Sequence, residues 1–369
     1  MRNIELLIKP VSYDCNLNCN YCFYKSTKNI YEKNHHLMDI NILETLIQKS
    51  LSYSDAGTAI FSWQGGEPLL AGIDFFKNLI NFQKKYGKSG QIIGNSIQTN
   101  GILLNEEYIK LFKEYNTFIG ISLDGNEEMH NYYRGKSFSK IMQSISLLKK
   151  ENLEFNILTV INNFNVNKPK EMYDFFIQNN LFYIQLIPCA EKDEKGNIAS
   201  FSVEPKSYGK FLCEFFDLWY NNGNPKISVR FFDNIAEVLA GLNPSYCGFK
   251  DKCGDYLVVE FNGDIYSCDF FVKKEWKLGN ILIDSFEKLF NKNKTTFGSL
   301  KSKINEKCQK CKWLYICKGG CLKYRMINEN KYDGLDYFCD SYIEFFNHSI
   351  DRLKKLIKIK GGKNENSVF

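Results

Sequence analysis

The chain has 369 residues and thirteen cysteines, and the grouping of those cysteines constrains the fold more than any other feature. Three stand near the start as Cys15-x3-Cys19-x2-Cys22. Eight lie in the last third: Cys247, Cys253, Cys268, Cys308, Cys311, Cys317, Cys321 and Cys339. Only Cys189 and Cys213 stand apart, and they read as small buried hydrophobes. Three plus eight suggests one iron–sulfur cluster held by three thiolates and two held by four each. With three protein ligands, one iron stays open to bind and cleave a substrate or cofactor. Four ligands leave none open and suit electron transfer. The competing readings are a zinc knuckle for the trio and zinc ribbons for the octet. The trio, however, has no fourth ligand at knuckle spacing. His35 and His36 fall in a polar stretch rich in Asn and Lys and read as loop residues.

Met1 to Pro10 carries Glu5 and Lys9 within a short apolar stretch, so it reads as a first strand and not as a signal peptide. No run reaches the roughly 18 apolar residues of a membrane helix. A cytoplasmic protein is expected, and there grouped thiols bind metal more often than they form disulfides. Three clusters would carry about −2, −2 and −1 with their thiolates. They would offset most of the formal charge of +6, so charge points to no nucleic-acid partner.

Strand-like runs recur at Glu5–Val11, Ala59–Trp63, Gln91–Gln98, Phe118–Leu123, Phe155–Ile161 and Phe182–Ile187. Helical patterns separate them. Tyr108, Leu111, Phe112 and Tyr115 share one helix face, and Phe138, Ile141, Ile145 and Leu148 share another. Strands alternating with helices imply parallel pairing through right-handed crossovers. Six such units fit an α/β fold with a partial barrel, whose chemistry gathers at the carboxyl ends of the strands. Glu191 to Lys206 breaks the rhythm, and a helical segment follows at Tyr208 to Tyr220. Beyond a boundary near Asn221 to Lys226 come hairpin signals, such as Leu257–Phe261, the turn Asn262-Gly263 and Asp264–Cys268. The expected domains are 1–225, 226–350 and a helix end with a Lys-rich solvated tail at 351–369.

The trio directly follows the first strand, and C-x3-C-x-aromatic-C in that place resembles the radical S-adenosylmethionine (radical SAM) enzymes. The resemblance implies a partial (β/α)6 barrel with Cys15, Cys19 and Cys22 on a [4Fe-4S] cluster that binds S-adenosylmethionine. Gln64-Gly65-Gly66-Glu67-Pro68 is similar to the family's glycine-rich turn, whose backbone and carboxylate hold the methionine ammonium. Glycine permits the close backbone approach that this needs. Ser122 would bond the ribose or amino-acid portion, and Arg134 the methionine carboxylate. Tyr21 would lie on the adenine side, and the strand end at Ala190 would wall the adenine.

The later cysteines resemble the SPASM extension of radical SAM enzymes that modify peptides and proteins. Spacing alone leaves their pairing open. The resemblance implies that Cys247, Cys253, Cys268 and Cys321 hold one auxiliary [4Fe-4S] cluster, and Cys308, Cys311, Cys317 and Cys339 the other. Ile265 to Phe271 is similar to a segment of the anaerobic sulfatase-maturating enzymes in which Asp269 would be the base. Leu6 to Pro10, Cys22-Phe-Tyr24, Trp276 to Ile281 and Cys317 to Cys321 fit the same subfamily. The implied function is oxidation of a Cys or Ser of a sulfatase polypeptide to formylglycine, with electrons from a flavodoxin- or ferredoxin-type donor. The nearer rival is another SPASM peptide-modifying enzyme, for example one forging thioether crosslinks. Such enzymes often carry a leading peptide-recognition domain, for which Cys15 comes too early.

Overall fold

The fold was analysed in a computed structural model that describes residues 2–31 and 35–361. Two compact units share the chain. The first comprises Met1–Leu123, Tyr133–Phe155 and Cys253–Ser299; the second comprises Asp124–Tyr132, Asn156–Lys252 and Leu300–Phe369.

In the first unit, β1 (Ile4–Lys9), β2 (Thr58–Trp63), β3 (Ile92–Thr99) and β4 (Phe118–Ser122) pair in parallel in sequence order. Helices Ile40–Ser54, Ile73–Tyr86 and Glu106–Glu114 make the crossovers. Local chemistry starts them: Asp39 accepts from the Asn41 N–H, and Asn105 from the Tyr108 N–H. Along β1, Ile4, Leu6 and Ile8 are buried, and Phe61 and Trp63 of β2 join them in the core. Each of these strands lies within two residues of its expected span.

The hairpin expected in a separate C-terminal domain instead extends this sheet. Its first strand, β8 (Leu257–Glu260), pairs in parallel with the other edge of β1, placing Lys9 opposite Glu260. Then β9 (Asp264–Tyr266) and β10 (Lys277–Asn280) continue it antiparallel. All four β8 residues are buried. This is the pattern of an inner strand, which a hairpin with one solvated face lacks.

In the second unit, β5 (Phe155–Ile161), β6 (Tyr183–Pro188) and β7 (Ser228–Val229) pair in parallel. Helix Pro205–Tyr220 packs on the C-terminal helix Cys339–Gly361 through an aromatic core. Phe232, fully buried, meets Phe216, Trp219 and Phe345 at ring-centroid distances of 5.3, 5.1 and 5.2 Å. Most grouped cysteines of this unit lie on short helices such as Glu306–Gln309 and Leu314–Cys317 and on the loops between them, and buried cations take up neighbouring carbonyls. The Arg325 guanidinium donates to the carbonyls of Lys301, Lys303, Lys318, Gly319 and Tyr332 at 2.8–3.2 Å. Lys301 donates to those of Cys247 and Gly248. Among the described residues no helix is long and apolar enough to cross a membrane.

Phe232→Ala is expected to cost about 3–5 kcal/mol, because the ring has neighbours on several sides and its site cannot collapse. A fall in the urea midpoint, followed by aromatic circular dichroism, checks this.

Candidate active site

β1 ends at Lys9, and the loop after it carries the cysteine trio. Two backbone bonds fasten this loop to the turn after β2: Gly66 N–H to the Ser12 carbonyl at 2.8 Å, and Glu67 N–H to that of Asp14 at 2.7 Å. A Cβ on Gly66 would lie 1.9 Å from the Asp14 oxygen, so only glycine fits there. Gly65 has φ +118°, a conformation that L side chains rarely adopt. The loop is also held from the far side. His36, expected in solvent, is 4% exposed, and Asp14 accepts from both its backbone N–H and its ring Nδ1.

Glu67 does not present a free carboxylate. It is fully buried; Oε1 accepts from Leu69 N–H and the Thr99 hydroxyl, and Oε2 from Asn100 N–H. These bonds brace the turn against the end of β3. Asn100 in turn places its Nδ2 2.7 Å from Asn16 Oδ1 and 3.6 Å from the Cys15 sulfur. Ser122 accepts from Gln98 Nε2 at 3.1 Å. Arg134 is no surface arginine: it is 9% exposed, with its guanidinium 5.4 Å from the centroid of the buried Tyr21 ring. Ala190 is fully buried in the second unit, after β6.

Asp269 follows Cys268 after β9 and is 8% exposed. Its two oxygens face different partners. Oδ1 lies 2.7 Å from the Lys9 ammonium. Oδ2 accepts from the Tyr24 hydroxyl at 2.7 Å and Gln64 Nε2 at 3.0 Å. Lys9 also sits 3.3 Å from Glu260 Oε1 and 4.6 Å from the centroid of the Tyr24 ring. Burial pushes the Lys9 pKa down, but Asp269 and then Glu260 outweigh it, and the net shift is upward. Burial and the neighbouring Asp269 carboxylate hold the Tyr24 phenol well above its ordinary range. Tyr24, Gln64, Lys9 and Glu260 had no role in the sequence reading. Their only signal was membership of short segments flanking the cysteines and the glycine turn.

The cysteines fall into local groups. In the first unit, burial pushes the Cys15 thiol up to about 11, with Cys19 and Cys22 adding to the rise. In the second, burial pushes Cys317 up to about 11 and Cys339 to about 12; Cys308 raises both, and each also feels another thiol of that quartet. Cys321 stands at about 11 through burial and the neighbouring Cys247. Cys268, in the first unit, lies 3.6 Å from the Tyr256 hydroxyl. Among the described residues no three ligand side chains close round one point as they would round a single ion. A zinc ion needs sulfurs about 2.3 Å from one centre, whereas an iron–sulfur cube takes each thiolate on a separate iron. Thiols kept protonated by burial and mutual repulsion, yet grouped, fit a polycationic core that releases those protons on binding.

The Radical SAM superfamily matches residues 10–176, and the SPASM iron-sulfur cluster-binding domain matches 247–312. The cysteine-type anaerobic sulfatase-maturating enzyme of Clostridium perfringens is 39% identical, over 96% of this chain and 98% of that protein. The serine-type enzyme of Bacteroides thetaiotaomicron is 37% identical, over 94% and 89%. The solved structure of native anSMEcpe with bound AdoMet and Cp18Cys peptide has a TM-score of 0.90 at 37% identity, covering 97% of this chain and 100% of that one. The protein is thus a radical SAM enzyme with a SPASM domain, and its cofactors are a [4Fe-4S] cluster, S-adenosylmethionine and further SPASM clusters. Within that class it belongs to the anaerobic sulfatase-maturating enzymes.

Burial pushes Glu67 up to about 7, against the opposing bonds from Asn100, Thr99 and Leu69. The native state therefore holds this proton more tightly than the unfolded chain, and Glu67's contribution to stability falls as pH rises through 7. The fall between pH 5.5 and 7.5 is on the order of 2 kcal/mol. Comparing pH profiles of urea unfolding for the wild type and Glu67→Gln checks this: the variant lacks that part of the slope.

Proposed function

We propose that this enzyme oxidises a Cys or Ser side chain of a sulfatase polypeptide to formylglycine, with Asp269 as the base. The observation that carries the reading is the placing of Asp269. It shares one unit with the cysteine trio, the glycine turn and Arg134, and its Oδ2 is held on the side of Tyr24 and Gln64. Cys15, Cys19 and Cys22 hold the open cluster. The backbone of Gly65 to Glu67, with Ser122, Arg134, Tyr21 and Ala190, binds S-adenosylmethionine. Cys247, Cys253, Cys268 and Cys321 hold one auxiliary cluster, and Cys308, Cys311, Cys317 and Cys339 the other.

When bound, these groups would supply the radical chemistry that removes one β-hydrogen of the target and an acceptor for the second electron. Asp269 accepts the thiol or hydroxyl proton, which makes that electron easier to lose. The substrate thus gives up a hydrogen atom, a proton and an electron. Serine yields the aldehyde directly; cysteine yields a thioaldehyde that water hydrolyses, releasing hydrogen sulfide. Tyr24 and Gln64 orient the carboxylate, and one of them yields its place on Oδ2 as the substrate proton arrives. A flavodoxin- or ferredoxin-type donor in the cytoplasm supplies the reducing electron.

Reduced enzyme with roughly twelve irons per chain, four for each of three clusters, is incubated with Cys- and Ser-type sulfatase peptides. The expected result is mass loss at the target residue in at least one peptide. Asp269→Asn is expected to lower formylglycine formation about 10²- to 10⁴-fold while 5′-deoxyadenosine is still released. Full turnover by that variant with intact clusters would sink the assignment.

A further inference from the structure

The position of Lys9 is at odds with its surroundings. β1 is an inner strand with apolar neighbours, and β8 supplies Leu257, Val258 and Val259 before Glu260. Lys9 and Glu260 are both 0% exposed. A buried ion pair rarely stabilises a fold relative to well-packed apolar residues of the same volume, because desolvation offsets the attraction. Stability therefore does not explain a charged pair here, and the local geometry supplies another reason.

We propose that Lys9 and Glu260 are a positioning pair that fixes which oxygen of Asp269 meets the substrate; this rests on Asp269 being the base. The Lys9 stem lies under the glycine turn, where a Cβ on Gly65 would stand 3.1 and 3.2 Å from Lys9 Cβ and Cγ. The ammonium is thus directed into a niche between Glu260 Oε1 and Asp269 Oδ1, with the Tyr24 ring beside it. Glu260 anchors the ammonium independently of Asp269, so Lys9 is a fixed point and does not simply follow the carboxylate. With Oδ1 bound to that point, Oδ2 is the oxygen left to Tyr24, Gln64 and the incoming thiol or hydroxyl. Without Lys9 the carboxylate can turn about χ2, and the base loses its alignment. Misplacement by about 1 Å costs on the order of 10²-fold in rate.

The test uses the cluster-loaded enzyme with a Cys-type sulfatase peptide and compares Lys9→Met, Glu260→Gln, the double variant and Asp269→Asn. For Lys9→Met we expect continued S-adenosylmethionine cleavage, a peptide KM within about threefold of wild type and a formylglycine kcat lower by about 10²-fold. Deoxyadenosine released per formylglycine then rises by the same factor. Glu260→Gln, nearly isosteric and so the variant that best keeps the fold, shifts the ratio in the same direction. The double variant, relieved of the unpaired buried charge, keeps the deficit. The proposal is overturned if both products fall together in Glu260→Gln, or if either Lys9 variant stays as coupled as wild type. A fully coupled Asp269→Asn would remove the base reading itself. An uncoupled Asp269→Asn beside coupled Lys9 variants would remove only the positioning pair.

Discussion

The site depends on one strand having partners on both sides. β1 pairs with β2 on one edge and β8 on the other, in parallel in both cases. Parallel pairing places the carboxyl ends of all three strands at one end of the sheet. The loop bearing the cysteine trio leaves β1 there, the glycine turn leaves β2, and the hairpin leading to Asp269 leaves β8. β9 then runs back antiparallel to β8, and Asp269, which follows it, lies 245 residues from Tyr24 in sequence and 2.7 Å from it in space.

That end of the sheet concentrates buried charge, and each charge there has a partner that also sets geometry. Glu67 braces the glycine turn against β3, Asp14 secures the loop through His36, and Arg134 lies against Tyr21. Asp336 does similar work in the second unit, accepting from the N–H groups of Cys321 and Phe338, while burial raises it to about 6. A carboxylate aimed at backbone N–H groups can hold an irregular loop where no ladder is available.

Much of this was legible in the sequence. The strand runs and helix faces follow the periods of 2 and 3.6, and the cysteine groups follow spacings that chemistry restricts. What escaped was set by distant partners. Nothing local in Leu257 to Glu260 states that its neighbour is β1, since an apolar run fits a hairpin strand or an inner strand equally well. That Glu67 is buried was not legible, because a carboxylate in a glycine turn is read as exposed. Its donors are Leu69 in the turn and Thr99 and Asn100 at the end of β3, and the register that brings the last two to it is a property of the sheet. His36 looked solvated because its neighbours are polar, yet Tyr13 and Phe261 flank its ring at 5.0 and 4.6 Å. Lys9 gave the least warning, as a lysine at the end of an apolar strand ordinarily extends its amine into water.

The grouped thiols place a further demand on the fold. Burial and mutual repulsion raise the ionisation of Cys15, Cys317, Cys321 and Cys339 to about 11–12. In the ligation proposed above, loading displaces protons, and the free energy of binding the cluster core has to exceed the cost of forming several thiolates close together. The chain lowers that cost with fixed cations that do not themselves bind sulfur. Arg134 and Lys25 bear favourably on Cys22, Arg325 on Cys308, and Lys301 on Cys321. Arg325 and Lys301 are also the groups whose carbonyl bonds shape the surrounding loops. One pair of buried cations thus serves both the folding of the second unit and the readiness of its thiols for metal.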